Sequence, residues 1–210
     1  MLTTWLAHPL TKGLDIDHPT TTHLRLQIIQ QKGFLRRINE EWYRAIVAAS
    51  PDCQGAVIEL GAGGGFMRDF IPNLITSELF YCPSVQVLLN ALRLPFATKS
   101  LRGIVMTNVL HHLPQPRLFF SEATRCVRAG GAVVMIEPWV TPWSRFIYNR
   151  LHHEPFDPET PFWSFQLAVR FPGQMMRCPG LSSLEIGRNL SKSFLNGGLK
   201  RSSRSCLFDI

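Results

Sequence analysis

Short apolar runs alternate with helix-spaced patterns along the first three quarters of the chain. Residues 20–50, "TTTHLRLQIIQQKGFLRRINEEWYRAIVAAS", place apolar side chains three and four apart, which predicts two amphipathic helices interrupted at Gly33. After "PDCQG" come "AVIEL", a helix expected from about Phe66, then "LITSEL", "VQVLL" and "LRGIVMTNVL", a helix across "PRLFFSEATRCVRA", and "GGAVVMIEP". Strands rich in Val and Ile that alternate with helices predict β-α-β units. The expected fold is α/β, a doubly wound and mostly parallel sheet with a helical lid in front of it.

The pattern fails after Trp163. Residues 164–210 are serine-rich, end in a polar, basic stretch and have no strand run as strong as those before them. By composition they read as a weakly structured extension, so the last strands of the sheet are expected to be missing or disordered. The expected organisation is a lid segment at 1–50, a core at 51–163 and an atypical tail at 164–210.

Composition narrows the function classes. The net charge of +7 is uneven: residues 1–163 hold 15 Lys+Arg against 13 Asp+Glu, a net of +2, while 164–210 hold 7 against 2, a net of +5. The body therefore has no basic stripe for a nucleic acid. No apolar run reaches the ~20 residues of a membrane span. The first 30 residues mix His, Lys, Asp and Thr without the form of a signal peptide, so a cytoplasmic protein is expected. The five cysteines are scattered without a C-x-x-C pair, which predicts reduced thiols and no structural zinc.

The chemistry concentrates where strands end. In "AVIELGAGGGFMRDF" a buried strand runs into Gly61, Gly63 and Gly65, a turn that lets a ligand approach main chain and meet unpaired N–H groups. Phe66 stands where the dinucleotide pattern takes Gly or Ala, and the chain has no Tyr-x-x-x-Lys pair, so an NAD-dependent oxidoreductase is disfavoured. The spacing E-x-G-x-G-x-G resembles the first motif of class I S-adenosylmethionine-dependent methyltransferases, and the segments after it resemble the methyltransferase type 11 domains, over about Leu26 to Pro158.

That resemblance implies S-adenosyl-L-methionine as cofactor and methyl transfer to a small-molecule acceptor, with the acceptor atom and the oligomeric state open. It implies that Glu59 and the turn Gly61, Ala62, Gly63 and Gly65 hold the methionine end, that Glu78 takes the ribose hydroxyls, and that Asn90, where many relatives have Asp, reaches the adenine edge. Ala91 and Leu92 would wall the adenine. Asn108, after strand four, would meet the cofactor's amino acid moiety. His111 and His112 are the candidate general bases, and adjacency lets only one face the pocket. The pair is poor as metal ligands. The aromatics Trp139, Trp143, Phe146 and Tyr148, with His152, His153 and Glu154, are expected on a helix after strand five, as a substrate wall or as helix packing.

Relatives continue past strand five with further strands. A reverse translation with one base restored just after the Trp163 codon reads through an apolar "ALPWIVF" run. The expectation is a single-base deletion near Trp163 that supplied residues 164–210. The rival to an active enzyme is then a catalytically impaired, cofactor-binding remnant.

Overall fold

Alternation of period two sorts the strand residues onto two faces, and each face meets its own helix. A computed structural model describes residues 8–14, 21–138, 141–150, 199–202 and 205–209. In chain order its elements are α1 (Thr22–Gln31), α2 (Gly33–Ala49), β1 (Ala56–Leu60), β2 (Ile75–Glu78), β3 (Val87–Leu88), β4 (Leu101–Thr107), α3 (Pro116–Cys126), β5 (Val127–Ile136), α4 (Pro142–Arg150), β6 (Leu199–Ser202) and β7 (Ser205–Asp209). Ile58 and Leu60 of β1, Ile104 and Met106 of β4, and Val133 and Met135 of β5 pack against Phe119, Phe120 and Ala123 of α3. Val57, Val105, Val134 and Ile136 turn to the other face, against Tyr43 and Ile46 of α2. Each large side chain buried in this way contributes roughly 1.5–3 kcal/mol.

The sheet order is β3-β2-β1-β4-β5-β7-β6. The first five strands are parallel, as their near-continuous apolar runs require when both faces are covered. The order reverses direction between β1 and β4, so the carboxyl ends of these two strands flank the crevice where open α/β sheets bind ligands. The two N-terminal helices form as expected, broken at Lys32, with Gly33 opening α2.

Two expectations change. The helix expected from Phe66 is a single 3-10 turn, Met67–Asp69. Phe66 and Phe70 are drawn instead into an edge-on cluster with Tyr43, and Pro72 follows within one turn. The strands expected to be missing or disordered are present at residues 199–202 and 205–209: β7 pairs antiparallel with β5, Val134 opposite Leu207, and β6 pairs with β7. The reason is that a strand edge is read by backbone N–H and C=O groups, which a weakly apolar segment supplies as well as a strongly apolar one.

Among the described residues no helix is long and apolar enough to cross a membrane, and no group of three metal-binding side chains occurs. Trp139, His152, His153, Glu154 and the side chain of Tyr148 lie outside the described residues, as do the rest of residues 151–163 and residues 164–198 of the tail. Trp143 and Phe146 on α4 are exposed, their rings stacked 5.8 Å apart.

Candidate functional site

The turn after β1 is glycine because neighbouring atoms crowd it on three sides. Gly61 has φ +64° and Gly63 has φ +48°, a region that costs an L-residue about 1–2 kcal/mol. A Cβ on Gly61 would stand 2.5 Å from Val109 Cγ2, in the turn after β4. On Gly65 it would stand 2.9 Å from the Tyr43 hydroxyl and 3.7 Å from Glu59 Oε1. On Gly64 it would meet the backbone of α1, 2.8 Å from Leu26 N and 2.9 Å from Thr22 O, so the first helix rests directly on the turn.

Two carboxylates flank this turn. Glu59 shares the face of Val57 and is only 3% exposed. Burial, and then the nearby charge of Glu78, push its pKa up to about 8. Glu78, at the end of β2, accepts the Gly63 N–H at Oε1 (2.8 Å) and the Leu79 N–H at Oε2 (3.2 Å). Burial raises its pKa, against those two hydrogen bonds and the Arg25 charge on α1. Tyr43 lies beneath the turn. It donates to Asn39 Oδ1 and accepts the Phe66 N–H, each at 3.3 Å, and its own pKa is pushed up to about 12 chiefly by burial.

The N–H groups expected to face a ligand are thus largely paired within the protein. Gly63 binds Glu78, Gly65 binds Ala62 O (2.7 Å), Phe66 binds Tyr43, and Ala62 binds Ser77 O (2.9 Å). What the turn offers is close main chain beside two carboxylates.

Asn90 is exposed, and its Oδ1 accepts the Leu92 N–H at 2.9 Å. That bond occupies one of its two lone-pair positions. Ala91 is buried in the cluster around α3, and Leu92 packs against that cluster. Arg125 of α3 holds the segment after them, donating to the carbonyls of Leu94 (2.9 Å) and Phe96 (2.7 Å).

At the end of β4, Asn108 has φ +57° and donates its N–H to Ile136 O (2.8 Å). Thr107 Oγ1 is buried without a hydrogen-bond partner. The two histidines separate: His111 is 4% exposed and His112 faces outward, with ring centroids 4.1 Å apart. Glu137, just past β5, joins them to the sheet. Its Oε1 accepts the N–H groups of Val109 and Leu110, both at 2.8 Å, and its Oε2 lies 2.6 Å from His111 Nδ1. Glu137 is the residue that sequence reasoning left without a role. The available signal was an acid ending strand five at the edge shared with Glu59 and Asn108.

Residues 58–135 match the family model described as a methyltransferase domain. A Pyrococcus horikoshii OT3 protein shares the fold, with a TM-score of 0.52 and 16% identity over 83% of this chain and 91% of that one. A presumed methyltransferase of Bacillus halodurans C-125 aligns with a TM-score of 0.49 and 17% identity over 76% of this chain and 67% of that one. Geranyl diphosphate C-methyltransferase of Streptomyces coelicolor A3(2), solved with Mg2+, geranyl diphosphate and S-adenosyl-L-homocysteine, aligns with a TM-score of 0.43 and 14% identity over 55% of this chain and 54% of that one. The chain thus spans little more than half of the Streptomyces enzyme. No curated protein matches the sequence.

Proposed function

We propose that this chain, whose residues 58–135 match the methyltransferase domain family model, transfers a methyl group from S-adenosyl-L-methionine to a small-molecule acceptor. The observation that carries the reading is the glycine turn from Gly61 to Gly65 at the end of β1, flanked by the buried Glu59 and the half-buried Glu78. The residues fit the cofactor. A Cβ on Gly63 would meet nothing closer than Glu78 Oε1 at 3.5 Å, which leaves main chain there open to close contact, and the unpartnered Thr107 Oγ1 beside Asn108 is a polar atom able to take a partner.

In this reading Glu59, Gly61, Ala62, Gly63 and Gly65 hold the methionine end, joined by Asn108. Glu78 takes the ribose hydroxyls while keeping its bond to the Gly63 N–H. Asn90 reaches the adenine edge, with Ala91 and Leu92 behind it. When bound, the cofactor supplies an activated methyl group on a sulfonium, so the protein's share is positioning, exclusion of water and proton removal. His111 is the general base, placed on the turn after β4 and held by Glu137. His112, facing outward, is the weaker of the two candidates. The helices within residues 1–50 act as a lid, for which the seat of α1 on Gly64 gives the physical basis. Residues 51–163 form the catalytic core. Cytoplasmic residence accords with unpaired thiols at Cys53, Cys82 and Cys126.

Calorimetric titration with S-adenosyl-L-methionine and S-adenosyl-L-homocysteine tests the proposal. Saturable binding that weakens at least tenfold in Glu78→Ala supports it, and no binding to the wild-type chain overturns it. Binding without homocysteine release across a panel of hydroxyl, amine and carbon acceptors would favour the impaired remnant.

A further inference from the structure

Four hydrogen bonds tie Ile136, which ends β5, and Glu137 after it to the turn that carries His111. Asn108 N–H reaches Ile136 O at 2.8 Å, Val109 and Leu110 N–H reach Glu137 Oε1 at 2.8 Å each, and His111 Nδ1 meets Glu137 Oε2 at 2.6 Å. Glu137 therefore grips the backbone of the turn with one oxygen and the ring with the other. An imidazole with one buried edge held in this way cannot flip without breaking the contact at Oε2.

The hydrogen-bond inventory decides which nitrogen carries the proton. An ionised carboxylate only accepts, so the nitrogen facing Oε2 must donate. The proton of the neutral ring is then on Nδ1. A proton on Nδ1 leaves the lone pair of the neutral ring on Nε2.

From this geometry we propose that Glu137 is a positioning residue that fixes His111 in the Nδ1–H tautomer, leaving Nε2 as the nitrogen able to take a proton. The inference rests on the reading of His111 as the base of the proposed transfer, and it narrows the acceptor to one whose nucleophile sheds a proton, such as a hydroxyl or a protonated amine. That proton passes to Nε2, giving an imidazolium that the Glu137 carboxylate stabilises across Nδ1–H.

The test reads the ring nitrogens in the cofactor-free protein, where it does not depend on methyl transfer. Long-range proton–nitrogen correlation spectra of the 15N-labelled chain are recorded at a pH where the ring is neutral, and the His111 signals are those missing in His111→Gln. The expected wild-type pattern is an unprotonated Nε2 and a protonated Nδ1. In Glu137→Gln the side-chain oxygen can keep the Val109 and Leu110 bonds while its NH2 donates to Nδ1, so the two nitrogen resonances exchange character. A wild-type ring protonated at Nε2, or an unchanged pattern in a folded Glu137→Gln, overturns the proposal. Should that variant not fold, the wild-type spectrum alone decides. Failure of cofactor binding would instead count against the proposed function and leave the tautomer assignment standing.

Discussion

Gly61 and Val109, 48 positions apart, lie so close that a Cβ on the glycine would stand 2.5 Å from Val109 Cγ2. The turn after β1 and the turn after β4 are thus one packed unit, and the edge of the sheet between them is set by a hydrogen atom in place of a methyl group. Gly61→Ala adds both this clash and a left-handed φ, and is expected to destabilise the fold by about 2–4 kcal/mol. Adding Val109→Ala should recover the steric part and leave the backbone part. Urea unfolding of the single and double variants checks this, and equal stabilities would contradict it.

Stability should fall as pH rises from acid to mildly alkaline. Glu59 keeps its proton in the folded state to about pH 8 but loses it near 4.5 when unfolded. The folded state therefore binds more protons between these values, so the contribution is complete below about 4.5 and is lost as pH rises through about 8. Glu78 is shifted in the same direction. The slope is on the order of 1 kcal/mol per pH unit at most. Chemical denaturation at several pH values should show it, and Glu59→Gln should flatten it.

Gly64→Ala is expected to lift α1 off the turn while leaving the sheet intact, because the added Cβ meets helix backbone that cannot rotate away. Hydrogen exchange should quicken at residues 22–31 and stay slow in β1, β4 and β5. Unchanged protection in α1 would show that the helix is not seated by Gly64.

His111→Asn should lower turnover by roughly 10^2–10^4-fold, the usual share of a general base. Affinity for S-adenosyl-L-homocysteine should be preserved. A turnover loss that follows affinity would mean that the residue shapes the cofactor site instead.

Removing residues 199–210 should uncover the edge of β5 that β7 covers and promote association between chains. Light scattering and thermal unfolding of the shortened chain test this. The proposed single-base deletion is tested by reading the gene across the Trp163 codon. A shifted frame without a family-like continuation would end that idea, and a chain with the restored frame should melt higher if the deletion is real.

Much of the sheet was legible in the chain itself. "AVIEL" and "IVM" name strands because parallel strands covered on both faces must be apolar nearly throughout, and the paired helices before them show in their three-and-four spacing. The glycine turn was legible too, since glycine adopts a left-handed backbone without the steric cost that other residues bear. The short stretch after Phe66 was not: its helical spacing yielded to packing of Phe66 and Phe70 on Tyr43, a residue two dozen positions earlier. The strands at the end of the tail were missed because pairing at a sheet edge asks little of side chains.

Sequence alone determined where the parallel strands and the paired helices run and where the chain turns after β1, because burial and backbone strain leave periodic and compositional marks within a few positions. Tertiary structure alone decided which polar atoms meet. Glu78 caps Gly63, the Tyr43 hydroxyl lies beneath Gly65, and Glu137 holds His111 from 26 positions away. Such pairings follow from strand order and register across the sheet, and one residue's shift in register would turn each partner to the opposite face.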